Sequence, residues 1–329
     1  MRVDRGLVGW GVFLVLVGAV PLAVRSGVVD ASLAERASSL WPLLIVAAGI
    51  GLLARGTPAE AVAGLAFPVV FGLIVGGVVA TGRFPFGGCS GDPATRAFEG
   101  QNGTFGETAT VEIDLPCGEL EVVAVAGSAW AVEGTDEDGD GPQIDVDEEE
   151  DRVEIRERGG GLPFFRDRSR WSVEIPTTPR VAVEATVNAG QARFVLGGAT
   201  LGPIDLTANA GSVRLDLSAI NSINGNVSVE ANAGSIVVLL PNQSLSGEFQ
   251  ANAGSIVLCT PPSAGIRIEA RSNLGGVDFA ARGLIQAGDV WQTPDFASAE
   301  VQLELRAEAN AGSIAMDDPD DCQASPSPG

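Results

Sequence analysis

The chain has 329 residues, 20 basic against 42 acidic side chains, a formal charge of −22, and no histidine, lysine or tyrosine. A polypeptide this acidic repels phosphate backbones, which argues against nucleic-acid binding. Without His, Lys or Tyr the usual general bases and activated nucleophiles are largely absent, so the composition disfavours an enzyme, although paired carboxylates remain.

Residues 1–83 carry six arginines against four acids and contain three uncharged stretches, 7–24, 37–54 and 61–82, rich in Gly, Ala, Val and Leu. Each approaches the length needed to cross a hydrocarbon core of ~30 Å, so three N-terminal transmembrane helices are predicted. Trp10 and Trp41 stand near the starts of the first two, where an aromatic belt would hold them. A cleaved signal peptide fits the first stretch poorly, because no small-residue cleavage site follows Val24 and two more apolar stretches come next. The positive-inside count is nearly even; three crossings, with all four cysteines beyond the last of them, put the expected amino terminus in the cytoplasm and residues 84–329 outside. The expected location is therefore a multi-pass position in the cell membrane with an extracytoplasmic C-terminal domain.

Residues 84–106 read as a Gly-rich linker. From Thr108 onward apolar and polar residues alternate, as in Val111, Ile113 and Leu115, then Leu120, Val122 and Ala124, then Val173 and Ile175. A period of two predicts strands with one buried face. Asp136, Asp138 and Asp140 occupy positions 1, 3 and 5 of a calcium loop, with Gly141 at 6 and Asp147 at 12. No helical pattern flanks the loop and Ile144 interrupts it, so the competing reading is a β-hairpin with a solvated acidic tip. Calcium is the only cofactor for which the chain offers a pattern. Phe164 and Phe165 follow a glycine triplet as a loop tip or a partner contact.

From about Arg180 to Met316 the chain repeats itself. Ala-Asn-Ala-Gly-Ser occurs at 208–212, 231–235, 251–255 and 309–313, with a truncated copy at Asn188-Ala189-Gly190 and a degenerate one at 272–276. Self-similarity at 20–23 residues is the signature of stacked coils. Asn188, Asn209, Asn232, Asn252 and Asn310, with Gly190, Gly211, Gly234, Gly254 and Gly312, supply corner chemistry, since both residue types tolerate unusual backbone angles. The predicted coil is strand, corner, strand, and residues 107–316 form a β-solenoid. The Asn and Ser side chains could form a ligand-binding ladder. The competing and favoured account has them hydrogen-bonding the corner backbone and one another. Residues 317–329 are Asp-, Ser- and Pro-rich and are expected to be disordered.

Residues 84–329 carry 14 arginines against 38 acids and all four cysteines, Cys89, Cys117, Cys259 and Cys322. An even number beyond the apolar region suits two disulfides in an oxidising compartment. The sequence leaves the connectivity open; pairing neighbours along the chain would give Cys89–Cys117 with Cys259–Cys322. A metal-thiolate site is disfavoured, because there is no CxxC and no histidine.

The segment Leu7–Arg55, with Leu40-Trp41-Pro42-Leu43-Leu44-Ile45 and Gly49-Ile50-Gly51, resembles the transmembrane hairpin of LiaI/LiaF-type bacterial envelope-stress proteins. The Asn-Ala-Gly-Ser-Ile copies resemble the "toastrack" or adhesin-type β-solenoid domain attached to such anchors. The resemblance implies a membrane-anchored envelope protein, modulating a sensor kinase or another membrane partner, and supplies no catalytic residues. Two non-enzymatic functions follow: an envelope-stress sensor or regulator, and an adhesin or structural surface protein acting by binding or self-association. A carboxylate-pair hydrolase is the third class, and no pair is singled out by spacing.

Overall fold

The computed structural model describes residues 96–324, except 137, 148, 150, 159–167, 280 and 281, together with the isolated helical positions Val15, Ala19, Val69 and Phe71. The chain divides into two units, Met1–Gly88 and Cys89–Gly329. The second unit carries the strands described here. They are β1 (Arg96–Ala97), β2 (Gln101–Thr104), β3 (Thr108–Leu115), β4 (Gly118–Val125), β5 (Ala129–Asp136), β6 (Gln143–Asp147), β7 (Arg152–Arg156), β8 (Ser169–Pro176) and β9 (Arg180–Val195). Then come β10 (Thr200–Asp216), β11 (Ser222–Ile223), β12 (Val227–Leu239), β13 (Leu245–Cys259), β14 (Gly265–Leu274), β15 (Val277–Asp278), β16 (Ile285–Ala287), β17 (Val290–Gln292) and β18 (Gln302–Asp317). A six-residue helix, α1 (Pro319–Ala324), follows.

The long strands bend at their Asn-Ala-Gly corners and pair in parallel, so that each corner stacks on the last. Gly190, Gly211, Gly234, Gly254 and Gly312 lie in one register. On the N-terminal side the same coil is assembled from two strands, because β3 and β4 pair with successive halves of β9, and β7 and β8 pair with β3 and β4. The spatial order of coils is therefore β7/β8, β3/β4, β9, β10, β12, β13, β18 and β14/β15.

The alternating pattern sends one side of every strand inward. Leu120, Ala192, Val213, Ile236, Ile256 and Ile314 form one register-matched column, and Val122, Phe194, Leu215, Val238, Leu258 and Met316 another. All twelve are buried. Bulk is shared between neighbouring columns: the Phe249 ring lies where a side chain on Gly247 would be, and Phe249 stacks against Ala307. Such interdigitation fills a narrow core without voids.

The last two coils depart from chain order. The spacing of 21 residues from Asn252 to Asn273 suggests that β14 stacks on β13. Instead β18 lies between them, pairing with β13 over 245–259 and with β14 over 265–274. The physical reason is fit. β18 carries a complete Ala-Asn-Ala-Gly-Ser-Ile corner that matches that of β13, whereas β14 runs into the degenerate Ser272-Asn273-Leu274-Gly275-Gly276, which suits a coil with one neighbour.

The expectation of a membrane-anchored fold with three N-terminal transmembrane helices is corrected to a mainly β, solenoid-like sheet. Among the described residues no helix is long and apolar enough to cross a membrane. The six-residue helix α1 rises only about 9 Å, against a core of ~30 Å. The described backbone satisfies itself by strand pairing. Stretches 7–24, 37–54 and 61–82 lie outside the described residues but for Val15, Ala19, Val69 and Phe71. Two local differences accompany this. Strands β1 and β2 fall within 84–106, and α1 falls within 317–329. The acidic segment after β5 is not a hairpin tip, because β6 pairs with β7 while β5 pairs with β8. A loop that crosses between two halves of a coil has no partner strand to turn back upon.

Candidate functional site

The most regular surface feature is the row of corners. Asn209 Nδ2 donates to Asn188 Oδ1 at 2.7 Å, Asn232 to Asn209 at 2.8 Å, Asn252 to Asn232 at 2.6 Å, Asn310 to Asn252 at 2.8 Å and Asn273 to Asn310 at 2.7 Å. Asn188 donates in turn to Asp114 Oδ1 at 3.2 Å. All six amides point the same way, so the ladder is polarised, with a carboxylate at one end and the Asn273 carbonyl at the other. Such chains strengthen cooperatively. The side chains a ligand would have to read are thus engaged with one another.

Beneath the ladder the corner glycines pack backbone on backbone. At Gly234, φ is +148° and a Cβ would stand 1.5 Å from Gly211 O; at Gly254 the corresponding values are +149° and 1.5 Å from Gly234 O. No residue with a Cβ fits there. Gly275, from the degenerate copy, continues the glycine row over Gly312, whereas sequence reasoning missed Gly118 and Asp114 as members of these rows. Gly118 was detectable as the lone glycine between two alternating strands.

The two outer faces differ. On the face preceding the corners, arginines at both ends neutralise neighbours: Arg152 pairs with Glu112, Arg156 with Asp145 and Glu154, and Arg271 with Glu269 and Asp289. In the middle, Glu184 stands in register between Glu112 and Asp205 and the surface is acidic. On the face following the corners, Val237, Leu239 and Val257 point outward and are covered by α1. A disulfide joins Cys259 to Cys322 across 63 residues, and Arg214 Nη2 donates to Cys322 O at 2.7 Å. Both arrangements hold a six-residue helix too short to persist alone. Cys117 is also disulfide-bonded, and Cys89 lies outside the described residues. A hollow of about 320 Å³ between β9 and β10 is lined by Arg193, Phe194, Val195, Arg214 and Asp216. It holds no adjacent nucleophile and base.

The acidic loop is organised by its own backbone. The Asp136 carboxylate accepts from Gly139 N–H and from Gly141 N–H, while Asp147 Oδ1 accepts from Glu149 N–H. Asp138 and Asp140 belong to the loop between β5 and β6, and Asp147 ends β6. Among the described residues no three His, Cys, Asp or Glu side chains converge to hold a metal. At the foot of this region the Asp145 carboxyl is held below the usual range, first by a hydrogen bond from Arg156 and then by one from Gln143. Phe164 and Phe165 lie outside the described residues.

Residues 100–239 match the family described as the N-terminal domain of toast_rack, DUF2154. The match runs from β2 to β12 and supports a toast-rack domain over those residues. No curated protein matches the chain. Among solved structures, the chain is similar to a protein of Clostridium sporogenes ATCC 15579 named for cell adhesion, with 16% identity, a TM-score of 0.44, and coverage of 67% of this chain and 99% of that one. It is also similar to a protein of Bacteroides fragilis NCTC 9343 named for adhesion, with 9% identity, a TM-score of 0.27, and coverage of 68% and 99%. A third, from Parabacteroides distasonis ATCC 8503 and also named for adhesion, has 9% identity, a TM-score of 0.22, and coverage of 68% and 98%.

Proposed function

We propose that this chain is a non-enzymatic surface protein of the cell envelope that regulates the envelope-stress response through partner membrane proteins. The observation that carries the reading is the Asn ladder. The motif repeated most faithfully is spent on holding coils together, which leaves a periodic outer surface and, among the described residues, no pocket that sets a nucleophile beside a base. Solenoids of this kind act by presenting an extended surface to another macromolecule. The Cys259–Cys322 disulfide supports an oxidising, extracytoplasmic setting.

The test is genetic and chemical together. Deleting the gene in its source cell alters the output of an envelope-stress reporter under a cell-wall inhibitor, and the wild-type gene restores it. A photo-crosslinking side chain at Asp205, on the acidic outer face, captures a membrane protein. Unchanged reporter output and unchanged survival in the deletion strain contradict the reading.

A further inference from the structure

The two ends of the solenoid are finished differently. At the N-terminal end both halves of the last coil are covered by antiparallel strands, β7 by β6 over Arg152–Arg156 and β8 by β5 over Arg170–Glu174. At the C-terminal end β17 covers β14 only at Arg267–Glu269, and the bond from Ala270 N–H to Asp289 O closes that contact. Residues 271–276 have β18 on one side and, among the described residues, no strand on the other.

This uncovered corner is exposed from Asn273 through Gly276. Leu274 is 75% exposed. It takes the position that the neighbouring coils fill with Ala311, Ala253, Ala233, Ala210 and Ala189. The fold does not ask for leucine at a place where alanine serves five coils. Among the described residues the Asn273 side-chain carbonyl is also the ladder acceptor with no amide stacked upon it, Asn273 itself donating to Asn310. The corner is held ready by Ser272 Oγ donating to Gly312 O at 3.0 Å. Unpaired, apolar, pre-organised strand edges are templates for adding a strand.

We propose that the corner Arg271–Gly276 is a strand-addition site for an extended segment of a different protein, running parallel to β14. The internal coils define what fits. An Asn or Gln would donate its amide to Asn273 Oδ1, a small residue would follow, and a glycine would stack over Gly275, because every residue stacked on a corner glycine here is itself glycine with its Cβ position blocked by the carbonyl below. An apolar side chain beside this motif would cover Leu274. A second copy of the chain fits less well. Head-to-tail stacking would meet an end already covered by β5 and β6. Tail-to-tail pairing would be antiparallel, could not extend a parallel ladder, and would bring together two chains of charge −22 each.

This inference rests on the reading of the solenoid as a protein-binding surface, but peptide binding in vitro and the stress phenotype in cells fail independently. The probe is a fluorescently labelled peptide with the sequence of Gln250–Leu258, titrated into the full chain and followed by anisotropy. Saturable binding is expected, weakened at least tenfold by Leu274→Asp and severalfold by Leu274→Ala, which installs the residue the internal coils already carry and so preserves the fold. A peptide with alanine in place of its glycine should not bind. Absence of saturable binding up to about 1 mM, or equal binding by wild type and both variants, overturns the proposal. So does a wild-type dimer in sedimentation that Leu274→Asp dissociates, because the occupant is then a second copy.

Discussion

Replacing Gly234 by alanine should be among the most damaging single-methyl changes available in this protein. A Cβ there would lie 1.5 Å from Gly211 O and 2.6 Å from its carbonyl carbon, at φ +148°. Relief requires the two coils to part by roughly 1.5–2 Å from their ~4.8 Å spacing, which breaks the Asn232–Asn209 bond of 2.8 Å and the parallel bonds flanking it. Two or three such bonds at ~1 kcal/mol each, with ~1–3 kcal/mol for the backbone conformation, give a loss of about 4 kcal/mol or more. Two controls separate the contributions. Gly288 has φ +66° and open space around it, so Gly288→Ala should cost about 1 kcal/mol from backbone strain alone. Gly276 has neither constraint, and Gly276→Ala should stay within ~0.5 kcal/mol. Urea unfolding followed by circular dichroism measures the three, with amide exchange of β10 and β12 to detect local opening, since repeat arrays need not unfold as one unit. A Gly234→Ala loss no larger than that of Gly288→Ala refutes the backbone-on-backbone account of the corner.

Asn232→Ala removes the donor to Asn209 and the acceptor for Asn252 together, and should cost ~1–2 kcal/mol in the same assay; a neutral outcome would mean that water replaces the ladder at no cost. Cys259→Ser with Cys322→Ser opens a loop of 63 residues and should destabilise by about 4 kcal/mol on the chain-entropy scale, with loss of protection of Leu239 from exchange. Asp145→Asn tests the depressed carboxyl. A folded value below 3.8 contributes stability that is present above the unfolded value and lost as pH falls through the folded one. The gap between wild type and variant should therefore be constant from pH 5 to 8 and shrink below about pH 4; a gap that widens on acidification contradicts it.

Alternation made the strands legible in the sequence, and the Asn-Ala-Gly spacing made the corners legible, because both follow from local geometry repeated coil after coil. What depends on non-local choice was hidden. The insertion of β18 between β13 and β14 could not be read from spacing, since the repeat at 272–276 keeps the period while matching its neighbours less well than the copy at 309–313. The covering strands β5, β6 and β17 are antiparallel, and their alternation looks like that of the coils they cover. The seat of α1 was masked by composition: Asp320 and Asp321 read as a solvated tail, and only Cys322 with the outward row Val237, Leu239 and Val257 hinted that this tail folds back. Asp114 as the terminus of the ladder was invisible for the same reason, lying 74 residues from Asn188.

The central claim, that the solenoid presents its surface outside the cytoplasm, is tested most directly by thiol labelling of Cys259 and Cys322 in intact cells with a membrane-impermeant maleimide, before and after external reductant. The account predicts labelling only after reduction, through release of the short helix α1. Thiols that react without reductant, and only once the cells are lysed, would contradict it.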